Sequence, residues 1–157
     1  MKTLITILFA NYVKKRNQKW INNPIDYQSK TFKYLIKSAS KTVFGRDHQY
    51  NQISNYSDYT KQVPIRDYEG LKPYIEKVIS GEENVLWPGK PKYFAKTSGT
   101  TSGAKYIPIT KESIKTHIKS ARNALLNYFL KTRNFKPISG KHMFLQGSPE
   151  LDKKNGI

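Results

Sequence analysis

The chain has 157 residues, of which 37% are hydrophobic and 13% aromatic, a composition that excludes wholesale disorder and allows one domain with a moderate core. It contains no cysteine, which excludes a disulfide framework, a thiolate metal site and a cysteine nucleophile, and we expect a cytoplasmic location. The net charge of +17 would attract nucleic acid or an anionic surface, but the lysines are spread along the chain without a recognisable RNA-binding motif, so we interpret the charge as a solvated surface.

The first predicted element is a packed amphipathic helix at the N-terminus. The run Lys14-Lys15-Arg16 is typical of the cationic end of such a helix. Apolar residues precede it at helical spacing: Ile5, Leu8, Phe9, Tyr12 and Val13. A signal peptide and a membrane-surface anchor are the alternatives, although no small-x-small cleavage site follows the apolar run. No run is long enough for a transmembrane helix.

A second helix is predicted to begin at Pro24, which suits a first helical turn, and to end at Gly45. Its apolar positions follow the helical period: Ile25, Phe32, Leu35, Ile36, Ala39 and Val43. Residues 46–56 then form a predicted polar loop. Ser57 is the expected cap of a short helix that Pro64 ends.

Asp67 is predicted to cap another helix, which runs from about Leu71 to Ile79 and stops at Gly81. This capping role, with Glu69 as a surface charge, is preferred to a general acid and base pair. Residues 82–92 are predicted to form an ordered loop. We expect Trp87 and Tyr93 to pin that loop against the core rather than to stack on a nucleobase.

Strand-like runs at 93–96 and 105–109 flank a loop rich in glycine and hydroxyl residues, which predicts two adjacent antiparallel strands. Thr110 is the expected N-cap of a long helix that ends near Arg133. Its predicted apolar face comprises Ile114, Ile118, Ala121, Leu125 and Phe129. The run at 142–145 predicts a further, buried strand. The fold class is therefore α/β: N-terminal helices, a strand–glycine loop–strand hairpin, a long helix and another strand.

The loop between the two strands has the composition of a phosphate cradle. Gly99 and Gly103 can adopt positive φ, so successive backbone N–H groups can face one anion. Lys105 adds a compact cation. Hydroxyl donors surround the glycines: Thr97, Ser98, Thr100, Thr101 and Ser102. The spacing fits neither the Walker pattern nor G-x-G-x-x-G, and these residue types alone leave an ordinary hairpin as the alternative.

Longer stretches on either side of the loop carry a family resemblance. They are Phe44-Gly45-Arg46, Val63-Pro64-Ile65-Arg66-Asp67-Tyr68-Glu69, Leu71-Lys72-Pro73-Tyr74-Ile75 and Leu86-Trp87-Pro88-Gly89-Lys90-Pro91-Lys92-Tyr93-Phe94. In this order they resemble the start of the auxin-responsive acyl acid–amido synthetases, a branch of the adenylate-forming, luciferase-like superfamily. The resemblance extends from about Trp20 to Ile157. Plant members carry one more residue before the lysine, so Lys105 need not reach the same phosphate as its plant counterpart.

The resemblance implies an ATP-dependent ligase that adenylates a carboxylic acid and transfers the acyl group to an amine such as an amino acid. It assigns ATP phosphate binding to Ser98, Gly99, Thr100, Thr101, Ser102, Gly103 and Lys105. Mg²⁺ would bridge the phosphates, with its ligands expected outside this chain. The resemblance assigns no catalytic residue here. It places the acid pocket partly on N-terminal helices and partly on later strands. On the long helix, the positional candidates are Arg122, Asn123, Leu126 and Phe129.

Family members also run several hundred residues further, so we interpret residues 1–157 as an incomplete N-terminal adenylation domain. Its segments are helical (1–45), helix and loop (46–92), and phosphate-loop strands, helix and strand (93–157). The isolated chain is expected to be inactive and to need a complementing C-terminal portion. The alternatives are a basic module that binds nucleic acid or an anionic surface, and a non-functional remnant of a split gene. His48, His117 and His142 lack metal-like spacing and are expected to be structural or surface residues.

Overall fold

The computed structural model describes residues 2–97, 103–141 and 143. It is mostly helical, with a two-stranded antiparallel sheet, as expected for a partial α/β domain. The elements are α1 (Lys2–Asn22), α2 (Pro24–Ala39), α3 (Val43–Asp47), a 3-10 helix (Tyr50–Gln52), α4 (Tyr56–Gln62), α5 (Tyr68–Ile79), β1 (Tyr93–Lys96), β2 (Tyr106–Ile109), α6 (Lys111–Thr132) and a second 3-10 helix (Lys136–Ile138).

The described residues form two compact units, each with its own core. The helical unit comprises residues 2–27, 114–141 and 143, and the hairpin unit comprises residues 28–97 and 103–113. In the part of the chain that the structure describes, no helix combines the length and the apolar character needed to span a bilayer.

The core of the helical unit is small. It contains Ala10 and Val13 of α1 with Leu126 and Phe129 of α6, and Leu130, Phe135 and Ile138 pack against it. The predicted helix is confirmed, but its predicted face is wrong for most positions, because α1 packs through the small side chain of Ala10. The apolar positions Ile5, Leu8 and Tyr12 are more than half exposed.

Two further predictions for this unit need correction. Helix α1 continues past its cationic run to Asn22, since lysine, arginine and glutamine are good helix formers and nothing breaks the helix before that point. On α6 the structure buries Leu126 beside Phe129 and leaves Ile118 and Leu125 exposed. The predicted end of α6 is confirmed, because the helix stops at Thr132 and Arg133 takes a φ of 57°.

The core of the hairpin unit is larger. It contains Ile36, Ala39, Tyr50 and Ile53, and its partly buried neighbours are Phe32, Phe44, Tyr59, Val63 and Trp87. The prediction of a polar loop over 46–56 is therefore wrong: Tyr50 and Ile53 are core residues. They lie only three positions apart among polar residues, a run too short to show a hydrophobic period.

Helix α2 begins at Pro24, as predicted, but it ends at Ala39 and not at Gly45. Gly45 lies inside α3, where Thr42 forms the N-cap and its hydroxyl accepts a hydrogen bond from the Gly45 N–H at 3.0 Å. The glycine is required there by close packing, because a Cβ at this position would collide with the carbonyl oxygen of Ala39.

The caps of the next two helices are settled by side-chain hydrogen bonds. Asn55, not Ser57, caps α4: its side chain accepts a hydrogen bond from the Asp58 N–H, and the Asp58 carboxylate accepts one from the Asn55 N–H. Asp67 caps α5 as predicted, accepting from the Gly70 N–H at 2.9 Å.

The loop at 82–92 is ordered and is held by backbone hydrogen bonds. The Val43 N–H donates to the Asn84 carbonyl at 2.8 Å and the Phe44 N–H donates to the Val85 carbonyl at 3.0 Å. Trp87 packs against the core of the hairpin unit, which confirms its predicted role. Tyr93 does not share that role, since its side chain is 43% exposed on β1.

The predicted hairpin is confirmed. Strands β1 and β2 pair antiparallel, with Tyr93 opposite Ile109 and Lys96 opposite Tyr106. Thr110 caps α6, because its hydroxyl accepts a hydrogen bond from the Ser113 N–H at 3.1 Å. The predicted strand at 142–145 lies outside the described residues except for Met143, which is exposed.

Candidate functional site

The glycine loop is closed at its base by Thr97 and Lys105. The Thr97 N–H donates to the Lys105 carbonyl at 3.0 Å, and the Lys105 N–H donates to the Thr97 hydroxyl at 3.1 Å. The first bond extends the backbone ladder by one pair beyond β1 and β2, and the second adds a side-chain hydrogen bond across the same pair. The hairpin therefore holds both ends of the loop in register, a requirement for backbone N–H groups that must converge on one ligand.

Gly103 is the glycine of the loop that the structure describes. Its φ is +79°, a conformation that L side chains rarely adopt. Apart from its chain neighbours, no residue that the structure describes has an atom within 4 Å of the position that a Cβ would occupy. An anion can therefore approach this stretch of backbone closely. Residues 98–102, which carry the other predicted phosphate donors, lie outside the described residues.

Lys105 lies against Tyr68, the first residue of α5. The Lys105 Nζ is 5.3 Å from the centroid of the Tyr68 ring, a cation–π contact worth roughly 0.5–1 kcal/mol at a partly exposed site. The half-buried Tyr68 side chain also reaches β2, where its hydroxyl accepts a hydrogen bond from the Tyr106 N–H at 2.9 Å. Tyr68 thus joins α5 to the hairpin and places the lysine cation at the base of the loop.

Sequence reasoning missed the roles of Tyr68 and Thr97. Tyr68 belongs to one of the stretches that carry the resemblance, but it lies 38 positions from its partner Tyr106, and no local pattern links two such residues. Thr97 appeared only as one hydroxyl donor among several. The Thr-to-Lys spacing across the loop was the available signal, because it matches the two ends of a hairpin connection.

His48 is a structural residue. It is 5% exposed, its Nδ1 lies 2.7 Å from the Phe44 carbonyl oxygen, and its Nε2 lies 2.7 Å from Nη1 of Arg66. A carbonyl can only accept and a guanidinium can only donate, so these contacts use Nδ1 as a donor and Nε2 as an acceptor. This geometry agrees with the structural role that we predicted.

The described residues contain no cluster of three or more His, Asp or Glu side chains that could hold a metal ion. They therefore offer no Mg²⁺ site of that kind. His117 lies exposed on α6, and His142 lies outside the described residues.

The helical unit contains an apolar groove of about 370 Å³. Two of the four positional candidates for an acid pocket line it, Leu126 and Phe129, together with Ile5, Thr6, Phe9, Leu125 and Ile138. The other two candidates do not line it. The Arg122 guanidinium stacks over the Phe9 ring at 5.5 Å and lies 3.5 Å from the side-chain oxygen of Asn123.

The sequence model of the GH3 family N-terminal domain matches residues 13–157. The chain belongs to the GH3 family. Among its GH3 relatives is jasmonoyl–L-amino acid synthetase GH3.5 of Oryza sativa subsp. japonica, 24% identical over 133 residues, which are 83% of this chain and 22% of the relative. Another is the probable indole-3-acetic acid-amido synthetase GH3.13 of the same plant, 30% identical over 104 residues, 63% of this chain and 21% of the relative.

A third GH3 relative, indole-3-acetic acid-amido synthetase GH3.10 of Arabidopsis thaliana, is 36% identical over 109 residues, 64% of this chain and 18% of the relative. This chain spans about a fifth of the length of these curated relatives. No solved structure matches it. The family confirms the resemblance to acyl acid–amido synthetases, and the match includes the whole glycine loop.

Proposed function

We propose that this GH3 chain is the N-terminal, phosphate-binding part of an ATP-dependent acyl acid–amido synthetase. The complete enzyme would adenylate a carboxylic acid and transfer the acyl group to an amine such as an amino acid. The observation that carries the proposal is the glycine and hydroxyl loop held between β1 and β2, inside the region that matches the GH3 family. The relatives' names support the reaction class, because they describe jasmonoyl–amino acid and indole-3-acetic acid-amido synthetases.

In this proposal the loop binds the phosphates of ATP. ATP supplies the adenylyl group that activates the acid, and pyrophosphate leaves with accumulating negative charge. The donors proposed to stabilise that charge are the N–H groups and hydroxyls of Ser98, Gly99, Thr100, Thr101, Ser102 and Gly103. The open space at the Gly103 Cβ position and its positive φ suit such a cradle.

Lys105 is proposed to add the positive charge. Its contact with Tyr68 is weak compared with a charge-assisted hydrogen bond to phosphate. The ammonium group can therefore leave the Tyr68 ring and bond to a phosphate when nucleotide binds. Tyr68 would then hold the cation beside the loop in the absence of nucleotide. The Tyr68 hydroxyl, bonded to Tyr106, keeps β2 in place while the lysine moves.

The chain is further proposed to be an incomplete adenylation domain with the three segments defined above. The adenine site and the Mg²⁺ ligands would come from a C-terminal portion, on the same polypeptide or in trans. Without them the transition state lacks positioning and charge stabilisation, and phosphate donors alone cannot supply these. The isolated chain is therefore expected to be inactive.

Acid-dependent exchange of labelled pyrophosphate into ATP tests this proposal. Residues 1–157 alone should show none with jasmonate-like, auxin-like, benzoate or fatty acids, and exchange should appear when a GH3 C-terminal portion is supplied. Robust exchange by the isolated chain would contradict the claim of incompleteness. Absence of exchange from a folded, complemented enzyme, with every acid tested, would contradict the reaction class.

Nucleotide binding tests the loop itself. A phosphate cradle without an adenine site should bind ATP and GTP weakly and about equally in calorimetry. Gly103→Ala should abolish this binding, whereas Gly89→Ala is a matched control, because Gly89 also has a positive φ (+75°) and open space at its Cβ position. Equal loss in both variants would show that backbone strain, not the cradle, accounts for the effect.

A further inference from the structure

The exposed face of α1 is apolar in its first half. Leu4, Leu8 and Tyr12 follow one another at intervals of four residues, and their side chains are 63%, 64% and 56% exposed. They lie on the side of the helix opposite the buried Ala10 and Val13. A soluble helix normally turns such a stripe toward a core. Here the core uses the other face, so the stripe is left for a different contact.

The same face becomes cationic in the second half of α1. At 3.6 residues per turn, Lys15, Arg16 and Lys19 continue the line of Leu8 and Tyr12 along the helix, and all three are exposed. The Arg16 guanidinium lies 5.7 Å from the centroid of the Tyr12 ring, which joins the apolar and cationic stretches. We call Leu4, Leu8, Tyr12 and these three cations the α1 face.

The charge of the whole helical unit has the same sign. Residues 2–27 contain five Lys or Arg and one acidic residue, and residues 114–141 contain seven Lys or Arg and no Asp or Glu. The described residues of the hairpin unit contain 14 Lys or Arg and eight Asp or Glu, so their net charge is +6, against +11 for the helical unit. Most of the excess positive charge is therefore concentrated in the unit that carries the α1 face, rather than diluted over the chain.

The match to the GH3 family begins at residue 13. Leu4, Leu8 and Tyr12 all precede that position. The family match therefore does not include the three apolar residues of this stripe. The stripe is a feature of this chain's own first helix.

We propose that the α1 face docks this protein on the surface of an anionic phospholipid bilayer. Leu4, Leu8 and Tyr12 enter the boundary between headgroups and acyl chains, and the cations pair with lipid phosphates and carboxylates. The phosphates of a nucleic acid would pair with the cations, but the two leucines would remain exposed to water. Single-stranded nucleic acid binds proteins through charge and through stacking on aromatic side chains. This docking is independent of the phosphate-binding loop.

Co-sedimentation of the 157-residue chain with vesicles tests the proposal. The chain should bind vesicles of phosphatidylcholine mixed with phosphatidylserine, bind pure phosphatidylcholine far more weakly, and dissociate as salt rises. Lys15→Gln/Arg16→Gln/Lys19→Gln should weaken binding by about 100-fold, at about fivefold per cation near an anionic surface. Leu4→Ser/Leu8→Ser should weaken it by about tenfold, since each side chain transfers only part of its apolar area.

Matched controls lie in the hairpin unit. Lys33→Gln/Lys37→Gln/Lys61→Gln removes the same charge from exposed positions, and Ile65→Ser removes a fully exposed apolar side chain. Both should leave vesicle binding within twofold of the unchanged chain. Circular dichroism checks helix content, and the α1 glutamine variant keeps a residue that forms helices about as well as lysine. If the serine variant loses helix content, vesicle binding by the glutamine variant alone tests the proposal.

Three results would overturn the proposal. One is the absence of binding to the mixed vesicles at low salt. Another is a charge control that weakens binding as much as the α1 variant, which would indicate diffuse attraction by net charge. The third is an absence of vesicle binding together with binding of single-stranded RNA, or dimer formation, through the same α1 residues.

Discussion

Replacing Gly45 by alanine should destabilise the hairpin unit. Gly45 is buried in α3, and the three atoms nearest to a Cβ built there all belong to the backbone: it collides with the Ala39 carbonyl oxygen and lies 2.9 Å from the Ala39 carbonyl carbon and 3.1 Å from the Ser40 Cα. Backbone cannot swing aside as the end of a long side chain can. The methyl group must therefore push α3 away from the end of α2, and Phe44 moves with it.

The expected decrease in the free energy of unfolding is the difference between two opposing effects. Overpacking in a filled core costs roughly 1–3 kcal/mol. The alanine also reduces the conformational entropy of the unfolded chain, which offsets roughly 0.4–1 kcal/mol. The net loss in the free energy of unfolding is about 1–2 kcal/mol, which corresponds to a urea midpoint lower by about 0.5–1 M for a denaturant slope of about 2 kcal/mol/M.

Fluorescence of Trp87 is a suitable signal for the urea titration, because this side chain packs against the core of the hairpin unit. The chain has two tryptophans, so a Trp20→Phe background makes Trp87 the sole reporter. Gly70→Ala is the control: the three atoms nearest to its Cβ would all belong to the Arg66 side chain, at 3.2–3.3 Å. If Gly45→Ala unfolds at the same urea concentration as its parent, the steric argument for α3 is wrong.

Three further predictions concern single side chains. Burial raises the pKa of Tyr50 from 10.0 to about 12. The folded state therefore resists its ionisation, and stability should fall as pH rises from about 10 toward 12. Tyr50→Phe should flatten that fall in urea titrations, and identical pH profiles would contradict the burial of the hydroxyl. Arg66→Met removes the donor to the buried Nε2 of His48 and should cost about 1–3 kcal/mol in the Trp87 titration, whereas an unchanged midpoint would argue against that hydrogen bond. Tyr68→Phe keeps the aromatic ring but removes the acceptor for the Tyr106 N–H, so this amide should exchange with deuterium about fivefold faster, for a bond worth about 1 kcal/mol. Unaltered exchange would show that the Tyr68 hydroxyl does not hold β2.

The features that were predicted correctly depend on residues close together in sequence. Pro24 begins α2 because its fixed φ suits a first helical turn. Asp67 and Thr110 cap helices because each side chain reaches an N–H group three residues ahead. The hairpin at 93–109 follows from two short strand-like runs and the glycines between them. Each of these features depends on residues that are separated by only a few positions in the sequence.

The features that were missed depend on packing. Which face of α1 is buried depends on where the small Ala10 allows close contact. Tyr50 and Ile53 join a core inside what reads as a polar loop, and Gly45 serves close packing rather than helix termination. In each case the local pattern was compatible with several arrangements, and side-chain volume selected one of them.

The amino-acid sequence by itself determined the GH3 family, most element types, two helix caps and the position of a candidate phosphate loop, because these are written in residue type and short spacing. Only the tertiary structure decided what surrounds that loop and which surfaces remain exposed. The contacts of Tyr68 with Lys105 and Tyr106, and of His48 with Arg66, join residues 18 to 38 positions apart. Such contacts form only after the chain has folded back on itself, since loop closure and the shape of the core, not local preference, bring these side chains together.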